Sequence, residues 1–246
     1  MNHSLPQPAR PHASSPRDTL LINEIFFSLQ GESTHAGLPC VFVRLRGCHL
    51  RCHYCDTEYA FHEGEKWTFS KILDRIQTLT QGKHCNLVEI TGGEPLLQPR
   101  VHPLMTALCD ADHTVLIETS GACDISKCDP RVIRIMDLKT PGSGEHEKNL
   151  WSNLAHLTPQ DEIKFVLTSR EDYDWMKHVL NEHALQEKVH AVLVSAVHHV
   201  PPGQEIAGTQ GLTITDLAHW ILEDGLDVRL QTQLHKLIWD PAARGV

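Results

Sequence analysis

The sequence predicts an α/β fold, an incomplete, open parallel β/α barrel of about six strands. Three observations lead to that expectation. Strand-like and helix-like stretches alternate from Leu20 onward, which implies parallel pairing through right-handed crossovers. Most of the strand-like runs are rich in Val, Ile and Leu with apolar residues in succession, as expected of strands covered on both faces. The units are too few for a closed eight-fold barrel, so an open one is expected.

The predicted strands are 20–27, 40–46 (CVFVRLR), 87–91 (LVEIT), 113–119 (HTVLIET), 132–138 (VIRIMDL), 162–168 (EIKFVLT) and 189–195 (VHAVLVS). A helix is predicted over 70–81, where Ile72, Leu73, Ile76 and Leu79 share a face behind Ser70 as N-cap, with Gly82 just beyond the end. The pattern recurs over 171–183, with Trp175, Met176, Val179 and Leu180 behind Ser169. Over 215–224, Leu217, Ala218, Ile221 and Leu222 fall together and Gly225 stops the helix. Residues 99–110 make a weaker helix because Pro103 sits near its start.

Composition bounds the function. The 246 residues, 41% hydrophobic and 22% charged, suit one globular domain over 19–246. Residues 1–18 carry Pro6, Pro8, Pro11 and Pro16 among small polar residues and read as a flexible tail. A net charge of −9 argues against a general nucleic-acid binder, whose phosphate affinity rests on Lys and Arg. No apolar run approaches the ~18–20 residues of a membrane span. The first 19 residues lack the apolar core of a secretory signal, so no membrane association and a cytoplasmic location are expected.

Eight cysteines and eighteen histidines are present. Cys40, Cys85, Cys109, Cys123 and Cys128 are scattered and read as small hydrophobic filler. Cys123 and Cys128 are near one another, but no second pair completes a zinc-type set, and they stay unassigned. No H-E-x-x-H occurs, and most histidines read as solvated surface.

The chemically unusual segments each follow a predicted strand: GCHLRCHYCDT after 40–46, TGGEP after 87–90, ETSG after 113–117, DLK ending 132–138, and the Ser195 to His198 stretch after 189–194. In parallel α/β folds active sites assemble at that edge, so a single site built from many loops is expected. Cys48-x3-Cys52-x2-Cys55 is the strongest signal, because three thiolates on one loop can converge on one metal centre. Spacing leaves two readings open. A structural zinc site would recruit His49 or His53 as fourth ligand; a 4Fe–4S cluster on three cysteines would keep one iron open for a ligand. Thr91-Gly92-Gly93-Glu94-Pro95 lets backbone approach a ligand closely. It is not G-x-G-x-x-G, and Gly82-Lys83 lacks the rest of a P-loop.

CHLRCHYC followed by TGGEP resembles the radical S-adenosylmethionine (SAM) superfamily. Ser28-Leu29-Gln30-Gly31-Glu32, Gly37-Leu38-Pro39, Phe42-Val43-Arg44-Leu45, Gly47-Cys48, Cys55-Asp56-Thr57 and the later Gln231-Thr232-Gln233-Leu234-His235-Lys236 together resemble the 7-carboxy-7-deazaguanine synthase family of queuosine and deazapurine biosynthesis. The resemblance spans roughly residues 20–246 and implies a radical SAM-type barrel.

It also implies an activity. A low-potential cluster, at the bottom of a range reaching about −700 mV, would cleave SAM to a 5′-deoxyadenosyl radical. That radical would start the contraction of 6-carboxy-5,6,7,8-tetrahydropterin to 7-carboxy-7-deazaguanine, with loss of ammonia. Residue by residue, it implies Cys48, Cys52 and Cys55 as cluster ligands and Thr57 as a Mg²⁺ ligand. Leu29, Gln30, Gly31, Arg44 and Thr91 would contact the pterin, with Arg44 on its carboxylate. Glu118 would accept its amino and ring N–H donors as a catalytic-site carboxylate. Gly93, Glu94, Asp137, Leu138, Lys139, Ser195, Ala196, Val197 and His198 would contact SAM. Relatives carry a Ser-Pro-Lys stretch where Asp137-Leu138-Lys139 stands, so of the three Lys139 matches best. Gln233 and His235 fall in the closing segment without an assigned role. A flavodoxin or ferredoxin as electron donor and a homodimer are further implications. Two other readings fit the triad: a radical SAM activase of a glycyl radical enzyme, and a non-catalytic zinc-binding module.

Overall fold

The structure, a computed structural model, describes residues 18–198 and 211–246; all but the last residue of the predicted 1–18 tail lies outside the described residues. The strands are β1 (Thr19–Leu29), β2 (Pro39–Leu45), β3 (Glu65–Thr68), β4 (Leu87–Gly92), β5 (Thr114–Thr119), β6 (Ile133–Asp137), β7 (Glu162–Leu167), β8 (Ala191–Ala196) and β9 (Arg229–Gln231). Among the described residues they form one sheet in the order β3-β1-β2-β4-β5-β6-β7-β8-β9. From β2 to β9 neighbours run parallel, and the terminal strands β3 and β9 are not hydrogen-bonded to each other. The fold is thus an open, mostly parallel α/β sheet.

Two expectations needed correction. β1 pairs antiparallel with both β2 and β3, because only nine residues separate Leu29 from Pro39, too few for the crossover that a parallel pair requires. The short edge strands β3 and β9 had no sequence signal; Glu65–Thr68 and Arg229–Gln231 lack an apolar run.

The helices are α1 (Phe69–Thr80), α2 (Val101–Asp110), α3 (Arg170–His183), α4 (Leu185–Lys188), α5 (Ile214–Asp224) and α6 (His235–Ile238). Thr68, not Ser70, caps α1 by accepting from the Lys71 amide, which lets Phe69 join the buried face. Ser169 caps α3 and Thr213 caps α5 in the same manner. Pro103 sits in the first turn of α2, where its missing N–H costs no helical bond. Among the described residues no helix is long and apolar enough to cross a membrane.

Strand alternation separates two apolar layers. Val88 and Ile90, Val115 and Ile117, Ile163 and Phe165, and Val192 and Val194 face the helices, packing with Ile72, Leu104, Met176 and Leu217. On the opposite face a smaller apolar floor of Cys40, Phe42, Leu87, Leu116, Ile135 and Leu193 gives way to Glu89, Thr91, Glu118, Asp137, Lys164 and Ser195. The second face is therefore half polar, unlike the apolar cover predicted for both. On it the segment after β1 folds back across the strands. Gln30 donates to Glu89 of β4, Glu32 accepts from Lys164 of β7, and Thr34 bonds Glu162 of β7. The same segment meets the far edge of the sheet: Ser33 exchanges bonds of 3.0 and 2.7 Å with the Gln231 amide, and Gly31 O accepts from Leu234 N at 3.0 Å.

Candidate active site

The cysteine loop leaves β2 through Gly47, at φ +99°, and is pinned from several sides. Gly47 N donates to Ala60 O, its carbonyl accepts from Glu94 N, and His53 N donates to Ser143 O. The Arg51 guanidinium bonds the carbonyls of Cys48 and Leu50 at 3.0 and 2.6 Å. Leu50 N points at the Cys48 sulfur, 3.4 Å away; such bonds tune a cluster's potential. Cys48, Cys52 and Cys55 are half-buried and line one cavity of about 460 Å³. Burial pushes all three thiols above their ordinary range, Cys55 to about 11, while Lys139 pulls Cys48 and Cys52 partly back. Binding a metal centre there must expel those protons.

Among the described residues no three Cys, His, Asp or Glu side chains converge where one metal ion would sit. Thiolates sharing one zinc stand about 3.8 Å apart, from the ~2.3 Å Zn–S bond. Cys48, Cys52 and Cys55, three half-buried thiols on one cavity wall, would supply three of the four iron ligands of a cubane.

Two glycines bring the β4 edge against this loop. A Cβ on Gly93 would meet Gly47 O at 2.4 Å and Cys48 Cβ at 2.6 Å; one on Gly92 would meet Leu45 O at 2.3 Å. The close approach predicted for a ligand is thus also made to the protein's own cysteine loop. Glu94 is fully buried and lies off the cavity wall. Its carboxylate accepts from Thr119 Oγ, Ser120 N, Ser120 Oγ and Leu96 N, clamping the β4 turn onto the end of β5. Leu138 likewise points into the helix-side core. Neither side chain faces the cavity as expected for SAM contacts.

The remaining predicted SAM positions do. Gly93, Asp137, Lys139, Ser195, Ala196, Val197 and His198 all line it. Lys139 bonds Asp137 at 2.7 Å. Despite burial, Asp137, Tyr54 and Cys52 hold the lysine above its ordinary range. Asp137 Oδ1 and Ser195 Oγ are buried without a hydrogen-bond partner among the described residues, a cost a native fold sustains when a ligand completes the bond.

Residues 42–137 match the model of the Radical SAM superfamily. The chain is 46% identical over 227 residues to the 7-carboxy-7-deazaguanine synthase of Koribacter versatilis, covering 92% of this chain and 99% of that one. It is 44% identical over 230 residues to the enzyme of the same name from Chlorobaculum tepidum, covering 92% and 97%. The chain belongs to the 7-carboxy-7-deazaguanine synthase family. Its fold is similar to QueE from Escherichia coli, with a TM-score of 0.68 over 90% of this chain and 99% of that one, at 23% identity. As a radical SAM enzyme it works with a 4Fe–4S cluster and SAM, on a small molecule, and requires a reductant. That membership sets aside the zinc-module and activase readings.

In this member of the 7-carboxy-7-deazaguanine synthase family the predicted substrate positions Leu29, Gln30, Gly31, Arg44, Thr91 and Glu118 line the same cavity, as does Thr57. Glu24 holds Arg44 through Nε at 2.8 Å and accepts from Tyr59 at 2.9 Å. The two terminal nitrogens of Arg44 have no hydrogen-bond partner among the described residues. Gly31 sits against His235, whose Nδ1 would lie 2.8 Å from a Cβ there. The Thr57 hydroxyl bonds Asp56 at 2.9 Å, and Lys236 bonds the other Asp56 oxygen at 2.7 Å. Asp56 is 39% exposed, and Lys236, with the Thr57 hydroxyl and Gln233, holds its carboxyl well below the usual range.

Sequence reasoning missed three groups on the cavity wall: Glu89, Glu32 and Lys164. Burial and the neighbouring Glu118 push Glu89 up to about 8. For Glu89 and Lys164 the signal was present, a single charged residue at mid-strand between apolar neighbours, as in Val88-Glu89-Ile90 and Ile163-Lys164-Phe165; Glu32, in the segment after β1, had no such pattern.

Proposed function

We propose that this chain converts 6-carboxy-5,6,7,8-tetrahydropterin to 7-carboxy-7-deazaguanine with loss of ammonia. The observation that supports it most is that one cavity gathers both sets of groups. The cysteine loop with Lys139, Asp137 and Ser195 lines it together with Arg44, Gln30, Glu118 and Thr57. A volume of about 460 Å³ is in the ordinary range for enclosed ligands, ~300–1,000 Å³. The name carried by the Koribacter and Chlorobaculum relatives agrees with this lining.

Cys48, Cys52 and Cys55 would hold the cluster as thiolates. Bound there, the cluster with SAM supplies a hydrogen-abstracting radical, chemistry that belongs to the cofactors. The chain's own residues bind, orient and exclude water. Asp137 Oδ1 as an acceptor and Ser195 Oγ as donor or acceptor would meet the polar groups of SAM, alongside Gly93, Lys139 and the 196–198 segment. The free edge of the Arg44 guanidinium would take the pterin carboxylate in a two-point pair, with Leu29, Gln30, Gly31 and Thr91 around the ring. Glu118 would accept from its N–H edge. Thr57 and the ionised Asp56 offer hard oxygen ligands to Mg²⁺, which suits an ion that keeps several positions for substrate and water. A flavodoxin or ferredoxin would supply the electron, to a homodimer in the cytoplasm.

The test is anaerobic turnover of the iron-loaded chain with SAM, a reductant, Mg²⁺ and the carboxytetrahydropterin. Deazapurine formation is expected. Cleavage of SAM without deazapurine would assign the chain to another radical SAM reaction, and a colourless zinc protein would overturn the cluster itself.

A further inference from the structure

The polar half of the cavity floor contains an imbalance. Three carboxylates converge on it: Glu32 from the segment after β1, Glu89 from β4 and Glu118 from β5. Asp137 of β6 faces them as well, already paired with Lys139. The cation set among the three is Lys164 of β7. Its ammonium bonds Glu118 directly and Glu32 at 2.7 Å, and its side chain is only 6% exposed. Glu32 is further held by Gln233 at 2.9 Å, and Gln30 donates to Glu89. Of the two carboxylates on Lys164, Glu118 is the more open to the cavity, at 29% against 18% for Glu32.

We propose that Lys164 is a positioning residue for the substrate: it keeps Glu118 ionised on the cavity wall, as an acceptor for a heterocycle edge bearing adjacent N–H donors. The inference rests on the substrate contact assigned to Glu118 above and extends it to the lysine that acts through that carboxylate. The physical requirement is direct. A carboxyl crowded by Glu32, Glu89 and Asp137 in a dry floor favours its protonated form. A protonated carboxyl accepts poorly and presents a donor against donors. One fixed ammonium bonded to Glu118 opposes that protonation. Burial, Glu32 and Asp137 leave Glu118 raised even with Lys164 present, while Glu118, Glu32 and Asp137 raise Lys164 well above its ordinary range despite burial, so the lysine stays charged.

The test compares iron-loaded wild type, Lys164→Met, Lys164→Arg, Glu118→Gln and Lys164→Met/Glu118→Gln. Lys164→Met is expected to raise the pterin KM about tenfold or more, with a smaller change in kcat. The acid limb of its kcat/KM profile should move up by about one pH unit, because Glu118 now takes its proton more readily. Iron content and substrate-free SAM cleavage should match wild type. Lys164→Arg, which keeps the charge, should recover most of the affinity. The double variant should lie within about twofold of Glu118→Gln, since the lysine acts through that carboxylate; this comparison also serves if Lys164→Met alone folds poorly, because Glu118→Gln removes one of the two carboxylates left without their cation. An unmoved KM and acid limb, or losses that add in the double variant, would overturn the proposal. A wild-type chain that forms no deazapurine would instead overturn the reaction assigned above.

Discussion

Gly93 and Cys48 are packed so closely that a single methyl group on the glycine would stand 2.6 Å from the Cys48 Cβ. The β4 edge and the first cysteine are thus one mechanical unit: Gly93 N reaches toward Leu45 O at 3.4 Å, and Glu94 N bonds Gly47 O at 2.8 Å. Forcing in a side chain must displace one of the two backbones, since both neighbours of the new Cβ are rigid.

Gly93→Ala is therefore expected to cost about 1–3 kcal/mol, the usual range for overpacking. It should also shift Cys48 enough that the purified, reconstituted chain holds less iron. Iron and sulfide analysis beside thermal unfolding checks this. Full iron content with wild-type stability would show the loop yields freely.

Glu94→Gln separates a clamp from a ligand contact. The amide would set a donor against the Ser120 N–H or hydroxyl, 2.8 and 2.6 Å from the present carboxylate oxygen. We expect a loss of about 1.5–3 kcal/mol, as for a bond to a buried charged group, read as a lower Tm. The Kd for SAM, measured on the folded variant, should change little; a large loss of SAM affinity with unchanged Tm would contradict the clamp.

Glu89 gives a pH dependence of defined sign. Its carboxyl is raised from an ordinary 4.5 to about 8 in the folded chain, so the native state holds a proton that the unfolded state releases. Stability from this group is full below about 4.5 and is lost as pH rises toward 8. Glu89→Gln, neutral throughout, should match wild type near pH 5 and exceed its Tm by a few degrees near pH 8, at ~2–4 °C per kcal/mol for a chain of this size. Equal Tm at both pH values would show that Glu89 ionises freely.

Thr57→Ala should weaken the Mg²⁺ dependence of turnover while leaving iron content unchanged. A titration of rate against Mg²⁺ on matched iron-loaded samples reads the first, and metal analysis the second. Loss of iron would make Thr57 a structural part of the cysteine loop.

Much of this architecture was legible in the chain. Val, Ile and Leu runs placed β2, β4, β5, β6, β7 and β8 within a residue or two, and the strand-end loops that carry the cysteines, glycines and Lys139 were recognisable from residue type. What escaped had physical reasons. β3 and β9 exist because a longer neighbour offers a hydrogen-bonding edge, a tertiary cause that leaves no local pattern. Glu94 and Leu138 follow strand ends as ligand contacts would, yet backbone direction turns them into a clamp and a core residue. Glu89 and Lys164 lay hidden in apolar runs because one face of each strand packs on helices, and those residues dominate the pattern.

The bond between Asp56 and Lys236 joins residues 180 positions apart, and Gln233 closes on Asp56 and Glu32 over similar spans. During synthesis the cysteine loop leaves the ribosome long before these partners do. A nascent chain broken before residue 231 would keep Cys48, Cys52 and Cys55 while lacking one wall of the chamber, leaving its interior open to water.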